Sequence, residues 1–254
     1  MIAVVSPAKT LDFESSVTFD KTKARLFDHS KEILNVIKGK DEADLQNLMG
    51  ISEDLAALNV DRFRNFSPRH TYTNAKQSLF AFKGDVYIGL GAEDFDEVDV
   101  SYAQDHLRIL SGLYGMLRPL DMMQPYRLEM GTKLPINDAK NLYEFWGDTI
   151  VKSLRQDLLK QGDEVVVNLA SVEYFKAVNT EKLKAEILEV EFKDFNNGKY
   201  KIVSFFAKKA RGMMARYMIK NRLQSIEDLK GFNTDGYYFD ESASTESMLA
   251  FKRG

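Results

Sequence analysis

The chain has 254 residues, 44% of them hydrophobic and 29% charged, with a formal net charge of −3 and no cysteine. That is enough apolar material for a real core, so global disorder is excluded. The missing cysteines exclude disulfides, thiol nucleophiles and cysteine-held iron–sulfur clusters.

In chain order, "IAVV" (2–5) is a short β-branched apolar run that reads as a buried strand, halted by Pro7 in "SPAKT". Residues 30–64 alternate apolar and charged residues at helical spacing, which predicts two or three short helices. Gly50 punctuates them and Ser52 caps the helix that follows. "SLFAFKGDVYIGL" (78–90) reads as a strand, a Lys-Gly-Asp turn and a short second element, and 99–108 as a helix. Residues 109–131 open as a buried strand and become irregular, stiffened by Pro119 and Pro125. The pattern predicts one helix over 139–161 ended by Gly162, a strand over 164–171, and a helix from "VEYFKAV". "AEILEVEFKDF" and "KYKIVSFFA" form a hairpin around Asn196-Asn197-Gly198, and "GYYFDESASTESMLAFKR" closes the chain as a second hairpin. The fold class is therefore α/β (mixed α+β): a single compact domain, 1–254, on a mixed sheet with hairpins flanked by helices.

No P-loop, GxGxxG, HExxH or GxSxG motif is present, and His29, His70 and His106 have no metal-ligand spacing. No cofactor or metal is expected. No apolar run reaches the roughly 20 residues of a membrane helix, and no signal peptide precedes the first strand, so a cytoplasmic protein without a membrane partner is the expectation. No oligomeric state is implied.

Four stretches point to negatively charged ligands. Ser6, Lys9 and Thr10 follow the first strand, where loops are fixed by the scaffold. Arg118 and Arg127 sit on stiffened backbone, with Glu129 nearby as a partner or proton relay. Asn168 and Ser171 stand where a strand gives way to a helix, whose unpaired amides attract anions or are capped by Ser171. Residues 208–222 hold Lys208, Lys209, Arg211, Arg216, Lys220 and Arg222 with no acidic residue. On a helix, Lys209, Arg216 and Lys220 share one face, either a solvated surface or a seat for a phosphate backbone. The helices around Gly50 suggest a helix–hairpin–helix with one glycine where that motif has two, or two ordinary packed helices.

Together "SPAKTLD", "AFKGDVYIGL", "HLRILSGLYGMLRPLDMMQPYRLEMG", "YEFWGD", "VVNLASVEYFKAV", "IVSFFAKKARGMMARY" and "GFNTDGYYFDE" resemble the bacterial YaaA family of peroxide stress proteins over residues 1–253. The resemblance implies a cytosolic protein of the hydrogen-peroxide response that helps limit free intracellular iron. It also implies a compact α/β domain with a basic cleft, double-stranded DNA binding, and a helix–hairpin–helix-like element around Gly50, within 30–64. It implies no settled reaction, so whether the chain is an enzyme stays open. Two readings result. In the first, Lys9, Lys83, Arg118, Arg127, Lys208, Lys209, Arg211 and Arg216 line one groove for the phosphates of double-stranded DNA. In the second, the loops at 6–10, 118–129 and 168–174 form a pocket for a small anionic ligand. The chain would then be an enzyme acting on a phosphorylated or carboxylated, nucleotide-like substrate.

Overall fold

In the computed structural model, which describes residues 1–254, the first strand is Ile2–Val5, every residue of it buried. It lies in an eight-stranded sheet. The strands run in the order Tyr238–Phe239, Met248–Arg253, Glu186–Asn196, Val165–Leu169, Ile2–Val5, Leu107–Ser111 and Gly115–Leu117. The five inner strands are mutually parallel, with Val5 beside both Leu169 and Ile109. Both outer strands are antiparallel, and Lys199–Lys201 folds back on the end of Glu186–Asn196. This is the expected single α/β domain on a mixed sheet. Helices cover the sheet because parallel strands need crossovers, which bury both faces.

Both expected hairpins form. Asn197 and Gly198 turn at φ 52° and 79°, the positive values that a two-residue hairpin loop requires. The 30–64 region contains three helices, Phe27–Ile37, Glu42–Met49 and Glu53–Arg64. Gly50 takes the left-handed conformation (φ 61°) that ends the second of them. Ser52 stands at the start of the third, but its hydroxyl makes no capping bond, unlike Asp41, which forms a capping box with Asp44.

Other expectations fail. "SLFA" is a helical turn, Ser78–Ala81, and the strand beyond it shrinks to Phe82–Lys83; the second element is a helix, Asp85–Leu90. A run buried on most sides carries no period to separate helix from strand. The helix over 139–161 is two, Leu142–Trp146 and Thr149–Gln161, broken at Gly147, whose φ 43°, ψ −116° no helix accommodates. Gly162 ends the second as expected. The strand expected to reach Ala207 stops at Lys201, and Ser204 opens the long helix Ser204–Asn221. "VEYFKAV" forms only one turn, Val172–Phe175.

His70 packs edge-on against Phe27, with ring centroids 4.7 Å apart, and its Nε2 lies 3.0 Å from the Tyr114 hydroxyl. Burial pushes its pKa down to about 4. A depressed histidine pKa means that the unfolded chain takes up the proton first. The contribution to stability is complete above the unfolded value of about 6.5 and is lost as the pH falls toward 4. Between pH 6.5 and 5 the protein should lose up to about 2 kcal/mol from this group, less for the part of the ring open to water. Urea denaturation at the two pH values should show that loss, and His70→Phe should reduce it. An unchanged pH dependence in the variant would remove His70 as the cause.

Candidate functional site

The chain leaves Ile2–Val5 toward Leu107–Ser111 on one side, whereas it leaves Val165–Leu169 toward Glu186–Asn196 on the other. The loops after these two adjacent parallel strands therefore diverge. Such a switch point opens a crevice at the strand ends, where α/β folds hold ligands. Ser6 and Ser171 meet there. The Ser171 amide donates to Ser6 Oγ at 2.9 Å, and the two hydroxyls are 3.3 Å apart. Ser171 begins the short helix Val172–Phe175 but makes no capping bond; it ties the two loops together instead.

Around this point the Lys9 ammonium and the Arg127 guanidinium converge on one carboxylate oxygen of Glu129, at 3.0 and 3.1 Å. The bond to Glu129 is the sole hydrogen bond of the Arg127 side chain, which is 17% exposed, and its Nε is sealed from solvent without an acceptor. The Glu173 carboxylate accepts from the Gly131 amide at 2.9 Å. The Tyr87 hydroxyl donates to the Ser6 carbonyl, and the Tyr126 hydroxyl lies 2.5 Å from Ser111 Oγ. Burial raises the pKa of Tyr87, Tyr126 and Tyr174, and their mutual proximity adds to it for Tyr87 and Tyr174, so all three stay protonated phenols. A cleft of about 650 Å³ adjoins, lined on one side by Glu129, Gly131, Lys133 and Glu173 and on the other by Lys40, Asn47 and Met49 of the helical segment.

Thr10 and Lys83 extend this rim as facing partners in a two-stranded ribbon. Asn168, at the end of its strand, donates both to Glu189 and, through Oδ1, accepts from the Ala170 amide. Arg211 lies within electrostatic reach of Glu189; burial lowers its pKa and Glu189 partly restores it.

The other expected cations lie elsewhere or are occupied. Arg118 follows Gly115–Leu117, which runs back antiparallel to Leu107–Ser111, so it lies at the far end of the sheet from Arg127. There Asp121 and the Lys23 carbonyl hold it. On the long basic helix, Arg216 makes a two-pronged pair with Asp94 at 2.6 and 2.8 Å and also donates to the Gly91 carbonyl. The Arg216 bonds, together with Lys220, hold the Asp94 carboxyl below its usual range. Lys220 reaches the buried Asp99 at 2.6 Å, and Arg222 joins it at 3.2 Å. Lys209 lies 3.7 Å from Asp235. Lys208 is exposed, without a carboxylate partner. Acids from residues 94–99 and 235 thus neutralise much of a helix that has no acid of its own.

A strongly cationic cleft involves residues that sequence reasoning missed. It measures about 730 Å³ and is lined by Lys21, Lys23, Arg25, Lys31, Arg69 and Asp28, with Phe27, His70 and others. Asp157 holds Arg25 and Asp28 holds Lys31, which leaves Lys21, Lys23 and Arg69 without a carboxylate partner. The Lys21 ammonium lies 3.9 Å above the Tyr72 ring. The signal was present in "DKTKAR", where Lys21, Lys23 and Arg25 recur at every second residue. In an extended chain that spacing aims all three the same way. A family model described as peroxide stress protein YaaA matches residues 1–243 of the chain.

Proposed function

The chain belongs to the YaaA family of peroxide stress proteins, and we propose that it serves that response in the cytoplasm by binding double-stranded DNA through the cleft at Lys21, Lys23 and Arg69. The observation that supports this reading is the imbalance of charge in that cleft. Five cations face one acid, and three of the cations have no carboxylate to give up when a phosphate arrives. The cleft is bounded by the start of the helix Phe27–Ile37 and by the segment just after Glu53–Arg64. DNA seated there would lie against the helical segment that the resemblance likens to a helix–hairpin–helix. Lysine and arginine contacts to phosphates carry no sequence information, so recognition is of backbone rather than bases.

The same reading includes a lowering of free intracellular iron. The chain has no cysteine, and no group of three or more His, Asp or Glu side chains converges to hold a metal ion. We therefore take the effect on iron to be indirect. No helix is long and apolar enough to cross a membrane.

Fluorescence anisotropy of a labelled duplex over a range of salt tests the DNA reading. The logarithm of the affinity should fall linearly with the logarithm of salt, by roughly 0.9 per phosphate contacted. The triple variant Lys21→Glu, Lys23→Glu, Arg69→Glu should lose at least about tenfold in affinity at moderate salt and show a shallower slope. Because these side chains are exposed, folding should be unaffected. Equal affinity and slope in the variant would place the DNA on another face.

A further inference from the structure

We propose that the switch point at Ser6 and Ser171 binds a small phosphate monoester, with Arg127 and Lys9 as its anchors. This goes beyond the DNA reading and does not depend on it.

The argument starts with Arg127. A guanidinium has five N–H donors and is always charged. Here it is mostly buried, yet Glu129 supplies its one acceptor and Nε is closed off with none. Leaving a charged donor buried and unpaired is costly, so its retention calls for a reason beyond packing. Arg25 and Arg108 show the alternative in the same molecule, since Asp157 engages both. Lys9 draws on the same Glu129 oxygen as Arg127, so two cations share one carboxylate and neither has it to itself.

The surroundings select phosphate. Two hydroxyls, Ser6 and Ser171, stand at the strand ends, and Tyr87 fixes the Ser6 carbonyl from the other side. Apart from the sealed Nε, Arg127 retains three unpaired N–H donors, and the ammonium and hydroxyls add more. That exceeds what the two oxygens of a carboxylate accept and suits the three terminal oxygens of a phosphate monoester. The adjoining cleft of about 650 Å³ offers room for the organic part of such a molecule, between Glu173 and Gly131 on one wall and Asn47 and Met49 on the other. Its mixed lining, with Lys40 and Lys133 among Asp44, Glu129 and Glu173, favours a polar group such as a ribose over an apolar one.

Isothermal titration with inorganic phosphate and with adenosine monophosphate tests this on the whole chain. Both should bind saturably. The monophosphate should bind more tightly, because only it fills the cleft. Arg127→Gln and Lys9→Gln should each weaken binding at least about tenfold. Lys9 is 62% exposed, so Lys9→Gln cannot act through folding. The Lys21, Lys23 and Arg69 triple variant should bind both ligands as the parent does, which separates this site from the DNA cleft. Absence of saturable binding by either ligand, or affinities unchanged in both Gln variants, would overturn the proposal.

Discussion

Gly212→Ala is expected to destabilise the protein by about 3 kcal/mol or more. The helices Asp85–Leu90 and Ser204–Asn221 cross at their glycines. A Cβ on Gly212 would lie 1.8 Å from the Val86 carbonyl oxygen and 2.8 Å from the Leu90 nitrogen. From the opposite side, a Cβ on Gly89 would lie 2.1 Å from the Lys209 carbonyl oxygen. Backbone meets backbone at both points, so no side chain can rotate away and the two helices must separate. Gly39→Ala is the control. Its Cβ would meet only the Val36 carbonyl at an ordinary 3.7 Å, and its effect should stay within about 0.5 kcal/mol. One separation relieves both clashes, so the double variant Gly89→Ala, Gly212→Ala should cost less than the sum of the singles. Urea denaturation measures all four. A loss below 1 kcal/mol for Gly212→Ala would mean that the crossing is looser than the structure shows. Tyr87 lies on the shorter helix and bonds the Ser6 carbonyl, so the same variant should also weaken phosphate binding at the rim.

The second large effect is expected at Asp157. Its carboxylate accepts both prongs of Arg25 at 2.6 and 2.7 Å and the Nε of Arg108 at 2.7 Å. Arg108 is 4% exposed and Asp157 7%. Asp157→Asn keeps the shape and removes the charge, leaving a buried guanidinium uncompensated. The expected loss is about 3–5 kcal/mol. Removing Arg108 as well, as Arg108→Met, should recover part of it, because the burial penalty then disappears with the charge. An exposed pair such as Lys31–Asp28 should contribute far less, because water already solvates both charges. Burial pushes the Asp157 carboxyl up, but the bonds and charges of Arg25 and Arg108 outweigh it and hold the group below the usual carboxylate range. A depressed carboxyl contributes stability above its unfolded value of about 3.9, which is lost as the pH falls through the folded value. Asp157→Asn should therefore also flatten the acid limb of the stability curve. A loss under 1 kcal/mol, or an unchanged acid limb, would show that water compensates the arginines.

The elements that read clearly from the sequence are those with a local cause. "IAVV" and "EVVVNLAS" are strands because β-branched runs bounded by turn residues have little alternative, and Asn197-Gly198 turns because those residues accept positive φ. The first and third loops of the rim were legible for the same reason: Ser6, Lys9 and Ser171 sit at the ends of recognisable strands. Tyr87 and Ser111 were not, since nothing in "GDVYIGL" or "RILSG" tells which phenol or hydroxyl faces the rim. Nor could the sequence separate Arg118 from Arg127. They share one loop-rich stretch, but the short strand Gly115–Leu117 reverses direction and carries Arg118 to the other end of the sheet.

The basic run in the long helix shows where the division falls. The sequence by itself determined the helix, its sign, and the small residues that let it approach its neighbour, because each depends on residues a few positions apart. Only the tertiary structure decided whether that charge is available. Asp94 and Asp99, more than 100 residues away in the chain, close on Arg216, Lys220 and Arg222, while Lys21, Lys23 and Arg69 keep no carboxylate partner. Electrostatic neutralisation acts over a few ångströms of space, whatever the separation along the chain, so it becomes visible only once the chain has folded.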